Sequence, residues 1–92
     1  MPMRFEWDEA RRQTNLAKHG VDFADAAEAL LDERAKTIED PDAEGERRHL
    51  TLGLDPTGQV LLVVWTERGE DAIRIVSARR ASPGERRAYS TR

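Results

Sequence analysis

The 92-residue chain reads as one α+β domain in which two N-terminal helices, a four-stranded antiparallel sheet and a C-terminal helix share a single core. Three observations predict this class. Phe23, Ala26, Ala27, Leu30 and Leu31 recur at helical spacing. From Ala35 to Ala78, strand-like runs alternate with turn signals such as Asp55-Pro56-Thr57-Gly58. Ser82-Pro83-Gly84-Glu85 combines a Ser N-cap, Pro at the first helical position and Glu three residues after the cap, which is a capping box opening a helix through Tyr89.

Each element follows from its residues. Arg4-Phe5-Glu6-Trp7 reads as an extended lead-in whose rings pack on the core. Asp8 is a good N-cap, and the first helix runs to His19, where Gly20 takes the left-handed position and Leu16 is set to meet Val21 in a Schellman motif. Asp22 caps the second helix. Ala35-Lys36-Thr37-Ile38-Glu39 suits an edge strand, and Asp40 to Gly45 an acidic loop. In Arg48 to Leu54 the leucines at 50, 52 and 54 alternate with His49, Thr51 and Gly53. His49 is therefore expected to face outward into solvent. Gln59 to Thr66 is apolar throughout and predicts a central strand covered on both faces. The chain returns as Ala72 to Ala78. A two-residue turn would set Trp65 opposite Arg74, allowing a cation–π stack, and a three-residue turn would set it opposite Ile75.

Charge is segregated. Residues 68–92 hold seven Arg against three acids, a balance of +4, while residues 1–67 hold eight Lys or Arg against fifteen acids, a balance of −7. An acidic chain does not bind nucleic acid with its whole surface, but one basic face remains for an anionic partner. The absence of Cys removes disulfides, thiolate metal sites and Cys nucleophiles. The longest apolar run, Val60 to Trp65, is too short to span a bilayer, and a soluble, cytoplasmic protein is expected. The two His lie thirty residues apart and no HExxH or similar cluster occurs, so neither a metal nor another cofactor is expected.

One set of segments runs in a recognisable order: Phe5-Glu6-Trp7-Asp8-Glu9; Asn15 with Lys18-His19-Gly20-Val21-Asp22-Phe23; Thr66-Glu67-Arg68-Gly69; Ile73 to Arg79; and Glu85-Arg86-Arg87-Ala88-Tyr89. In these the chain resembles the BrnT family of small toxins, which is similar to the RelE-like ribonuclease toxins of type II toxin–antitoxin systems. Leu31-Asp32-Glu33-Arg34 and the acidic loop depart from the pattern. The resemblance implies an endoribonuclease that arrests translation by cutting RNA. It also implies a neighbouring antitoxin, similar to the BrnA ribbon-helix-helix DNA-binding proteins, that silences it in a hetero-oligomer. Operator DNA would be reached only through that antitoxin.

Metal-free RNA cleavage turns the ribose 2′-OH on the adjacent phosphate. It requires a base, cations for the phosphorane and an acid at the leaving 5′-oxygen. Arg68, Arg74 and Arg79 are the candidate phosphate cations, because a guanidinium meets two oxygens at once and stays charged. Lys18, Arg80 and Arg86 are candidates for outer RNA contacts. Tyr89, Glu85 and His19 are the candidates for proton work.

Plainer roles stand beside these. His19 serves as a helix C-cap, Glu85 as the capping-box acid, Tyr89 as a packed ring with a wet hydroxyl, and Lys18 as a solubility charge. Arg74 has a structural partner available in Glu67 or in an antitoxin carboxylate. Arg74 and Arg79 have opposite parity along one strand, so they reach one phosphate only if the strand bends. A second functional class stays open: a non-catalytic interaction module whose arginine face binds a ribbon-helix-helix partner and acts only in autoregulation.

Overall fold

A computed structural model describes residues 3–91. In chain order the elements are β1 (Arg4–Glu6), α1 (Glu9–His19), α2 (Phe23–Leu30), β2 (Lys36–Glu39), β3 (His49–Leu54), β4 (Val60–Arg68), β5 (Ala72–Arg80) and α3 (Pro83–Ser90). The strands form one sheet in the order β1-β5-β4-β3-β2. Strands β2 to β5 pair antiparallel as their sequence predicts. The sheet nonetheless has five strands and is mixed, because the expected lead-in is itself a strand lying parallel to β5. Its reason is tertiary. The outer edge of β5 needs hydrogen-bond partners, and Arg4 donates its N–H to the Asp71 carbonyl at 2.8 Å while Glu6 lies beside Arg74.

The helices form where their caps predict. The Asp8 and Asp22 side chains accept from the N–H groups of Ala10 and Ala24, and the Ser82–Glu85 capping box is complete. Gly20, at φ 70°, closes α1 with a single bond to the Leu16 carbonyl. Leu16 is partly exposed, while Val21 is buried in the core cluster. Helix α2 buries Phe23, Ala26 and Ala29 against Leu61, Val63, Ile75 and Ala78. It stops at Leu30, and Leu31 turns outward instead of completing the apolar stripe.

The two faces of β3 are the reverse of the expectation. Thr51 and Gly53 pair with Val63 and Leu61 on the side packed by α2, while Leu50 and Leu52 share the opposite face with Val64 and Leu62. Gly53 decides this, since a Cβ there would lie 2.1 Å from the Ala29 carbonyl oxygen; the helix approaches too closely for any side chain. His49 is consequently not a solvated position. Its side chain is only 14% exposed, stacks on Trp65 at 4.3 Å and contacts Glu67 at 3.1 Å. The Trp65 indole N–H donates to Thr51.

Candidate active site

The β4–β5 turn has three residues, Gly69 to Asp71, with Gly69 at φ 71°, and it sets Trp65 opposite Ile75. Arg74 therefore stacks on no indole; it lies opposite Thr66, and its neighbour on the other side is Glu6. Glu6, Arg74 and Thr66 thus stand side by side across β1, β5 and β4, about 4.8 Å apart along the hydrogen-bonding direction. Arg48, the residue before β3, lines the same cleft as Thr66.

Glu6 reaches Nε of Arg74 at 3.3 Å and Nε of Arg68 at 3.7 Å. The structural partner of Arg74 is therefore Glu6, from the first strand, and not Glu67, which turns to His49. Arg68 and Arg74 line a polar cleft of about 150 Å³ together with Arg48, Thr66 and Glu46, and with the α1 N-cap Asp8 and Arg11 of its first turn.

Val76 determines what else reaches the cleft. The pairing of β4 with β5 shifts between Val64 and Trp65, leaving Val76 as an extra residue on β5. Such a bulge flips side-chain parity. Arg79, opposite Leu62, consequently shares a face with Arg74, opposite Thr66, which an ideal strand would forbid. Val76 and Arg11 also border a second cleft, of about 330 Å³, lined by Lys18, His19 and Asn15. Asn15 holds α1 in place: its buried amide donates to the carbonyls of Val21 and Ala78 and accepts from the Ala78 N–H. At Ala78, beyond the short β1, the amide does the work of a missing strand.

The remaining candidates lie at the far end of β5, where five residues, one of them bulged, place Arg79 roughly 15 Å from Arg74. Arg79 grips Glu85 with two bonds of 2.8 and 2.9 Å. That ion pair, reinforced by the Ser82 backbone N–H, holds the Glu85 carboxyl at about 2, against a modest opposing effect of burial. Tyr89 donates its hydroxyl to Asp32, which pushes the Tyr89 pKa up. Burial works to raise the Asp32 pKa, yet the Tyr89 hydroxyl and the N–H groups of Leu54 and Arg34 hold it below its ordinary value. Arg80 donates to Gln59 and Arg86 to the Ala81 carbonyl, and both border a third cleft near Gly58.

The candidates thus fall into two groups. Arg68, Arg74, Lys18 and His19 surround adjoining clefts, whereas Arg79, Arg80, Glu85, Arg86 and Tyr89 gather around α3. Arg11, Arg48 and Thr66 complete the first group and carry no local sequence signal; only the packing of distant segments brings them in.

A family model described as the ribonuclease toxin BrnT of a type II toxin–antitoxin system matches residues 7–85. The chain belongs to the BrnT family. The BrnT fold is matched in three dimensions as well: the crystal structure of the Brucella abortus ribonuclease toxin BrnT superposes with a TM-score of 0.68 at 34% identity, covering 87% of this chain and 97% of that one. No curated protein matches the chain. Membership in BrnT, a family of ribonuclease toxins, also implies an antitoxin partner. Among the described residues of this BrnT protein, no group of His, Asp and Glu is arranged to hold a metal ion, and no helix is long and apolar enough to cross a membrane.

Proposed function

We propose that the protein is an endoribonuclease that cuts RNA without a metal ion, halts translation and is silenced by a ribbon-helix-helix antitoxin of the BrnA type. The observation that carries this reading is the arginine cleft: Arg11, Arg48, Arg68 and Arg74 converge on one small depression in an acidic protein, with Glu6 between two of them. Guanidinium groups placed this way can hold the scissile phosphate and stabilise the phosphorane as the 2′-oxygen attacks and the 5′-oxygen leaves. His19 lines the adjoining cleft and in this reading carries the proton transfer, with Lys18 guiding the RNA backbone beside it. Arg79 and Glu85 serve mainly to fix α3, with Arg80 and Arg86 as outer RNA contacts and the Tyr89 hydroxyl tied to Asp32.

The test is cleavage of a mixed-sequence RNA by the purified protein in excess EDTA, together with growth on induction without antitoxin. Arg74→Ala is expected to lower cleavage about a hundredfold or more and to relieve growth arrest while the fold persists. Cleavage that vanishes in EDTA, or wild-type protein that neither cuts RNA nor slows growth, overturns the proposal. The arginines already engaged by Glu6 favour a second reading, a non-cutting module that binds a ribbon-helix-helix partner and serves only autoregulation. It predicts tight partner binding weakened by Arg68→Ala and no RNA fragments at any dose.

A further inference from the structure

Thr66 is 3% exposed, and its hydroxyl oxygen is the buried side-chain polar atom that has no hydrogen-bond partner among the described residues. A buried hydroxyl with nothing to bond is costly, by an amount comparable to a lost hydrogen bond, and Val would fill the same space without that cost. The position of Thr66 explains why a hydroxyl belongs there. It lies on the floor of the arginine cleft, opposite Arg74 on β5, and Arg48, which precedes β3, lines the same cleft. Arginine only donates, so neither neighbour can accept the Thr66 proton. No carboxylate near the cleft accepts from it: Glu6 is engaged by Arg68 and Arg74, and neither Asp8 nor Glu46, which line the cleft, bonds the hydroxyl. What the row lacks is an oxyanion that accepts from the hydroxyl and from the guanidinium groups together.

The geometry points to Thr66 as a substrate-binding residue: its hydroxyl donates to a non-bridging oxygen of an RNA phosphate held between Arg48 and Arg74, with Arg74 released from Glu6, its neighbour on the side away from Thr66. This rests on the ribonuclease reading of the cleft and adds to it the group at the floor. The hydroxyl is closed off from solvent, so the phosphate reaches it as the side chains above move aside. Arg48 is exposed and Arg68 and Arg74 are 47% and 39% exposed, so their long stems are free to do so. Glu6, held at 3.3 and 3.7 Å and not by a close bidentate grip, is readily displaced by a doubly bonded phosphate.

The experiment compares wild type, Thr66→Val and Thr66→Ser in binding a 2′-O-methyl oligoribonucleotide, which offers phosphates but cannot be cut, and in thermal melting. Thr66→Val is expected to weaken binding roughly tenfold or more, the effect of one hydrogen bond to a charged group, while melting at the wild-type temperature or above. Thr66→Ser is expected to bind within about twofold of wild type, since the hydroxyl is kept. Unchanged affinity in Thr66→Val overturns the inference, as does a loss that tracks a lowered melting temperature and is not rescued by Ser. So does wild-type protein that binds no oligonucleotide. Wild type that binds in a Thr66-dependent way yet leaves all-ribose RNA intact sinks the ribonuclease reading and leaves the phosphate seat standing.

Discussion

Glu85 carries two jobs with one carboxylate: it accepts from the Ser82 N–H at the N-cap and grips Arg79. Its pKa is depressed from 4.5 to about 2, so its ion pair stabilises the fold fully above about pH 4.5 and is lost as the pH falls toward about 2. Glu85→Gln keeps a cap acceptor and removes the charge. It is expected to cost about 1 kcal/mol at pH 7, because Arg79 is 42% exposed and solvent screens the pair. The difference from wild type should shrink to nothing between pH 4.5 and 2 in urea unfolding. A pH-independent difference would mean that the pair does not supply the stability. The same numbers argue against proton work at this residue, since a carboxyl titrating near 2 neither takes nor gives a proton readily at neutral pH. Its role as a capping acid was legible in Ser82-Pro83-Gly84-Glu85 because a capping box is local; its hold on Arg79 was not, because that depends on where β5 ends.

At the scale of elements, what lay within about ten residues could be read and what crossed the sheet could not. The N-caps of all three helices and the turn at Asp55 follow from neighbouring residues, whereas the sequence left two registers open at Gly69 and the strand pairing decides between them. Strand β1 was missed because three residues carry too little alternation, and its partner lies 68 positions away. The bulge at Val76 leaves no sequence mark, although the clash of parity between Arg74 and Arg79 indicated that some irregularity was needed to bring them together. The inverted β3 shows the limit of hydrophobic alternation. Leucines at 50, 52 and 54 mark one face, but it is the small residues of the other face, Gly53 against Ala29, that let α2 dock. Gly53→Ala is accordingly expected to destabilise the fold by about 3 kcal/mol, since the Ala29 backbone leaves the methyl nowhere to go. Urea unfolding measures this, and a loss below about 0.5 kcal/mol would show that α2 shifts away freely.

The whole molecule gathers arginines at one cleft, where Asp8 and Glu46 also stand, although the chain is acidic. The chain is net −3, yet Arg11, Arg48, Arg68 and Arg74 gather at one cleft while Asp40, Asp42 and Glu44 occupy the loop before β3. Binding of single-stranded RNA through about three phosphates would fall roughly tenfold to twentyfold as salt rises from about 50 to 200 mM. Anisotropy titrations with the uncleavable oligonucleotide read this slope, and a flat response would exclude the arginines as the main contacts. The family and the general fold were visible in the order of motifs, since these run along the chain. The site was only partly visible, because Glu6, Arg48 and Thr66 become its members through pairings that no linear reading fixes.

The pairing of Glu6 with Arg74 also sets a schedule. A contact spanning 68 positions cannot form on a nascent chain until Arg74 has been synthesised and β5 has folded against β1. At roughly 5–20 residues per second, several seconds of elongation pass with the cleft unassembled. A ribosome making this protein is therefore not exposed to the finished cleft until most of the chain has been translated, an interval in which an antitoxin already present can reach the toxin as it folds.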